Sequence, residues 1–163
     1  MALVTTIGSA SADSYGTLAA YEAYVVANIS LNFNGHGHDS THEMHLRRAA
    51  QWIDRRFHFV GIRQYETQAL SWPRLYRGLV KDWPIDPDSI PQDIISAQFE
   101  LAYLFEEQSL DPFATITERR TRSTIGPISV ETIPTGQPRI VAVEGLLAPY
   151  TVTGSGQMAA VRG

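Results

Sequence analysis

Leu46, Ala49, Ala50, Ile53 and Phe57 line up at steps of three or four positions from one helical turn to the next. That spacing is the buried stripe of an amphipathic α-helix, and it obliges the chain to supply other elements to cover it. The spacing predicts a helix capped by Ser40 or Thr41 and ending near Phe57, with Trp52 flanking the stripe. Arg47, Arg48, Arg55 and Arg56 lie off the stripe and point to solvent or to a partner.

Proline limits what can follow. Pro73 disfavours helical backbone at Trp72. The run Trp83-Pro84-Ile85-Asp86-Pro87-Asp88 reads as a stiff loop. Trp72 and Trp83, each beside proline, read as packing anchors. Phe59 to Ile62 reads as a short strand or turn. Pro91 suits a first helical turn, where its missing N–H costs nothing. A helix over about 91–108 follows, apolar on a broad arc through Ile94, Ile95, Ala97, Leu101, Ala102, Leu104 and Phe105. Such an arc belongs to the central helix, and Asp93 sits well in its first turn. An earlier helix, about 17–28 with Ser14 as cap, places Tyr21, Tyr24, Val25 and Ile29 on one face.

Beyond Asp111-Pro112 the character changes. Ile128, Val130 and Thr132 alternate with Ser129 and Glu131, which predicts one or two strands in an extended arm over about 117–133. Residues 140–150 can form one short helix, and 151–163 read as a loose tail ordered only against a partner. The fold class is mainly α: three main helices, a short C-terminal one, a β-like arm and a tail. The divisions are an extension over 1–13, a domain over 14–150 and the tail.

The length of 163 residues suits one domain that buries about 68–70% of its unfolded surface. With no Cys, thiolate metal sites, disulfides and thiol nucleophiles are excluded. His36, His38, His42 and His45 cluster, but the His42-to-His45 step is three and position 46 is Leu, so the zinc-protease pattern fails. A polar loop and exposed helix start is the better reading of these histidines. No Gly-x-Ser-x-Gly elbow and no phosphate loop occurs. The expectation is a protein with no catalytic residue, no metal and no cofactor. The start of the chain lacks the basic region of a signal peptide, and no run nears the ~20 apolar residues of a membrane span. The expectation is a soluble cytoplasmic product without membrane contact.

Charge is split along the chain. Thirteen bases and seventeen acids give −4. Asp39 to Arg77 holds seven Arg against four acids, and Asp82 to Asp111 holds eight acids and no base. Arg119, Arg120 and Arg122 follow in the arm. The bland reading is a set of solvated faces. The sharper one is a heterologous ring, in which a basic face meets a neighbour's acidic face through bidentate Arg. Arg47, Arg48, Arg55 and Arg56 would then pair with acids such as Glu100, Glu106 and Glu107 of the next copy. The arm arginines could instead face a nucleic-acid backbone.

Several stretches carry a resemblance: Ser14-Tyr15-Gly16-Thr17-Leu18 with Tyr24; Ala49-Ala50 with Trp52-Ile53-Asp54; Gln68 to Arg74; and Ile90 to Asp93. Ala97-Gln98, Glu100-Leu101-Ala102 and Val143 with Leu146-Leu147 and Pro149-Tyr150 complete it. The chain resembles small tailed-phage proteins labelled DnaT-like single-stranded-DNA-binding proteins, which are similar to head–tail connector adaptors. The resemblance implies a helical adaptor in a ring, twelve-fold in such proteins, under the portal at the virion neck, made in the host cytoplasm. It implies as partners other copies, the portal, a stopper or other neck or tail protein, and DNA only as passing genome. Arg119, Arg120 and Arg122 would line the channel or face a ring. The segment with Tyr150, Thr151, Val152, Met158, Val161 and Arg162 would dock on the portal. The label itself suggests the alternative, a replication accessory protein that binds single-stranded DNA.

Overall fold

The stripe on the second helix holds. In the computed structural model, which describes residues 2–29, 39–108, 121–125, 128–132 and 141–152, α2 runs Asp39–Arg56 and buries His42, Leu46, Ala49, Ala50, Trp52 and Ile53. Phe57 lies just past its end, packed against the same core. The helix begins at Asp39, so Ser40 and Thr41 sit in its first turn rather than at its cap.

α1 spans Leu18–Asn28 and is capped by Thr17, whose hydroxyl accepts from the Ala20 N–H. Ser14 was expected there, but it is 1% exposed and its hydroxyl donates to the Gly16 carbonyl. α3 spans Gln92–Gln108 and α4 spans Val141–Leu147, followed by a 3₁₀ turn at Ala148–Tyr150. α1, α2 and α4 all pack on α3, the central helix, which buries Ile94, Ala97, Phe99, Leu101, Ala102 and Phe105. Leu104, expected on that arc, is only half-buried.

The stretch between α2 and α3 forms two short antiparallel ribbons. β1 (Ile62–Arg63) pairs with β2 (Arg74–Leu75), and β3 (Leu79–Val80) pairs with β4 (Trp83–Pro84). The second ribbon turns at Lys81 and Asp82, both at positive φ, which matches the tight turns that follow strand twist. The arm is a hairpin, β5 (Thr121–Ile125) against β6 (Ile128–Thr132). The mainly helical class stands.

Both described ends of the chain pack against the bundle. The stretch before residue 14 packs onto the bundle: Leu3 touches the core, Ala12 is buried, and the Val4 N–H donates to the Asp13 carboxylate. At the other end Thr151 bridges to Phe59, and the Val152 N–H donates to the His58 carbonyl. Tyr150, expected in a docking tail, is 7% exposed and belongs to the core. It closes a row of rings, Trp52–Phe57–Phe59–Trp72–Tyr150, with centroids 5.6–6.4 Å apart.

Candidate functional site

The buried polar groups are the first place to look for chemistry. Gln98 is fully buried in α3. Its Oε1 accepts from the N–H groups of Tyr15 and Gly16, both at 3.1 Å, and its Nε2 donates to Ser14 Oγ and to the Leu46 carbonyl. One side chain thus uses all four of its bonds to tie the chain before α1 to α2 and α3.

The Gln68–Arg74 stretch works in the same way. Gln68 Oε1 accepts from the Tyr65 N–H, while its Nε2 donates to the Leu70 and Pro73 carbonyls. Arg74 donates to the carbonyls of Phe59, Val60, Gly61 and Ser71. Between them the Trp72–Pro73 bond is cis and Trp72 is 1% exposed. Asp54 accepts from the Tyr15 hydroxyl and the Ser71 N–H. Burial pushes the Asp54 carboxyl up, against the pull of those hydrogen bonds. These groups satisfy buried backbone that neither helix nor sheet serves.

Two of the clustered histidines can be placed. His42 is buried in the first turns of α2, where an exposed helix start was expected. Its Nε2 lies 3.1 Å from Glu106 on α3, its Nδ1 3.8 Å from Glu22 on α1, and its ring meets Tyr21 edge-on. Burial lowers the pKa of the neighbouring His45. Among the described residues no group of three or more His, Asp or Glu is placed to hold a metal ion. His36 and His38 lie outside the described residues.

The outer surface is different. The ribbons expose apolar side chains in succession: Ile62 at 66%, its cross-strand partner Leu75, Leu79 at 64% and Trp83 at 75%. Trp83 was expected as a packing anchor. A neighbouring proline restricts its backbone, but β4 turns the indole outward. It forms one wall of a shallow cleft of about 270 Å³ with Val80, Ile85, Pro91 and Tyr150. An open groove of about 550 Å³ runs between α1 and α3, lined by Gly16, Ala20, Ala23, Tyr24, Ile95 and Phe99.

The residues expected to carry charge between copies have partners within the chain. Arg47 meets Asp13 at 2.7 Å and Glu43 at 3.5 Å. Arg56 lies 3.8 Å from Glu144 and over the Trp52 ring. Arg48 and Arg55 also have interactions within the chain. Glu100 accepts from the Tyr24 hydroxyl, and Glu106 from Tyr21. Arg119, Arg120, Met158, Val161 and Arg162 lie outside the described residues, as do the side chains of Glu107 and Arg122. The ribbon surface and the α1/α3 groove escaped sequence reasoning. The available signal was the run of large apolar residues among the prolines of 62–84, too irregular to assign to a face.

The sequence pattern of the family described as "Putative DnaT-like ssDNA binding protein" matches residues 1–163, the whole chain. The chain belongs to that family. No curated protein and no solved structure matches it. The buried polar elements of this DnaT-like chain have physical roles. Gln68, Trp72, Arg74 and Gln98 hold loops and helices together.

Proposed function

We propose that this DnaT-like chain is a structural head–tail connector adaptor of a tailed phage, without catalytic activity. It would assemble as a ring, twelve-fold as in such adaptors, beneath the portal, in the virion neck and after synthesis in the host cytoplasm. The observation that carries this reading is the exposed apolar ribbon surface of Ile62, Leu75, Leu79 and Trp83. An exposed patch of this kind on a small domain is the mark of a protein contact. The networks around Gln98, Gln68, Arg74 and Asp54 hold the fold, which suits a component whose work is assembly. DNA would pass the ring without tight binding, consistent with a net charge of −4. The portal, a stopper or another tail protein would share the remaining surface.

The family description favours a second reading, in which the chain binds single-stranded DNA. Trp83 offers an exposed ring for a base, with Arg77 and Lys81 near it in sequence. Asp82, Asp86 and Asp88 are also near it in sequence, and Asp86 lines the same cleft; these acids oppose a phosphate backbone. Electron microscopy of the chain mixed with its portal decides the first reading: a ring seated on the portal is expected, and no binding overturns it. Salt-dependent, micromolar binding of oligo-dT with quenching of Trp83 fluorescence would establish the second.

A further inference from the structure

β5 and β6 form a sheet of two strands, so each has one edge with no neighbouring strand among the described residues. Along such an edge the alternate N–H and C=O groups that face away from the partner can pair only with another strand. The other two ribbons have strands of two residues, and β4 ends in Pro84. β5 and β6 run five residues each, without Gly or Pro. Their register is unbroken from Thr121–Thr132 to Ile125–Ile128, so no bulge turns an edge away. Among the described residues no helix and no other strand packs closely on the hairpin, and a lone two-stranded hairpin is marginal in water. Alternation places Ile125, Ile128 and Val130 on one face and Arg122, Thr124, Ser129 and Glu131 on the other, with Arg122 opposite Glu131 in the register.

Resting on the ring reading, we infer that β5 of one copy pairs antiparallel with β6 of the next copy, in the register that the hairpin itself uses. An open edge fixes the class of occupant, a strand, and the charges select which one. β5 carries Arg122, preceded in sequence by Arg119 and Arg120, whereas Glu131 is the one charged residue of β6. β5 against β5 would gather the arginines of two copies, and β6 against β6 would bring two glutamates together. β5 against β6 sets each Arg122 between two Glu131 positions, one of its own hairpin and one of the neighbour's. The contact joins two different edges, so it is heterologous and uses both edges of every hairpin once the ring closes. Twelve hairpins with strands roughly 4.8 Å apart would close a band about 37 Å across before strand tilt widens it, and a band of that many strands keeps an open lumen.

The test uses the full chain, which has no Cys, so each of two variants, Thr124→Cys and Ser129→Cys, carries a single thiol. The two positions stand opposite each other in the register. Far-UV circular dichroism verifies that the bundle is unchanged. Mixed at about 100 μM under mild oxidation, the two variants are expected to give disulfide-linked 1:1 heterodimers in about tenfold excess over the homodimers that either forms alone. Homodimers of one variant forming as readily as the mixed species would overturn the pairing, because the edges would then meet like with like. Absence of cross-links would overturn it too, and sedimentation velocity of the parent chain then separates the two ideas. Oligomers that sediment without cross-linking leave the ring reading standing on another contact. With a chain that stays monomeric throughout, the pairing is equally overturned and the portal microscopy judges the ring separately.

Discussion

Replacing Gln98 with leucine should unfasten the bundle without emptying any space. Leucine fills nearly the same volume, so the change removes hydrogen bonds and little packing. It strands the N–H groups of Tyr15 and Gly16, which now donate at 3.1 Å to Oε1. Both residues are buried, so water cannot replace the lost acceptor without opening the site. An unsatisfied buried donor costs about 1–3 kcal/mol, giving about 2–6 kcal/mol for the pair. Against a total stability of roughly 5–15 kcal/mol this is a large fraction. In a domain of this size it corresponds to a fall in Tm of roughly 5–20 °C. Urea and thermal unfolding followed by far-UV circular dichroism measure both quantities. Gln51→Leu, at an exposed position on α2, is the control and should stay within about 0.5 kcal/mol of the parent. A loss below about 1 kcal/mol for Gln98→Leu would refute the reasoning, because the two N–H groups would then have found other acceptors.

Three further outcomes follow from the same structure. Trp72→Ala should cost about 3–5 kcal/mol in urea unfolding, since a 1% exposed indole leaves a cavity between Phe59 and Tyr150. Arg74→Lys keeps the charge but loses the planar fork that reaches four carbonyls, and a loss of about 1–3 kcal/mol is expected; an unchanged midpoint would show the fork to be dispensable. Asp54 has a folded pKa above the ordinary 3.8, so the folded state binds its proton more readily than the unfolded state. Its contribution to stability therefore grows as pH falls from above the raised value towards 3.8, and is lost as pH rises through the raised value. Asp54→Asn has no such proton. The stability difference between parent and variant should shift in the parent's favour on acidification through that window, and a flat difference would contradict the assignment.

The helical part of this fold was legible because periodicity reports burial directly. Leu46 to Ile53 shows it, as does the apolar arc of α3. Gln98 was not legible as a hub. In sequence it only interrupts an apolar run, and its four partners come from distant segments that no local pattern names. Ser14 looked like a helix cap for the same reason: a short hydroxyl near a helix start is ambiguous until the backbone decides, and Thr17 stands one position from the helix. His42 was expected exposed because histidines beside Asn and Gly at a helix start suggest a wet surface, whereas α1 and α3 close over it with Glu22 and Glu106. Trp83 was misread because proline constrains φ and ψ but does not determine which way a neighbour faces. The groove could not be read at all, since Gly16, Ala20 and Ala23 only come to line it once α3 lies beside α1.

The side-chain bonds to loop amides also govern how the backbone exchanges hydrogen with water. An amide exchanges only when its bond opens, and a bond is as lasting as the structure around it. The N–H groups of Tyr15, Gly16, Tyr65 and Ser71 are held by Gln98, Gln68 and Asp54 rather than by a ladder. Tyr15, Gly16 and Ser71 are buried. Opening them requires a glutamine or an aspartate to let go inside the core, which is close to unfolding the bundle. Irregular loops of this domain are therefore expected to share the deuterium protection of its helices, with a most slowly exchanging set that cuts across secondary structure.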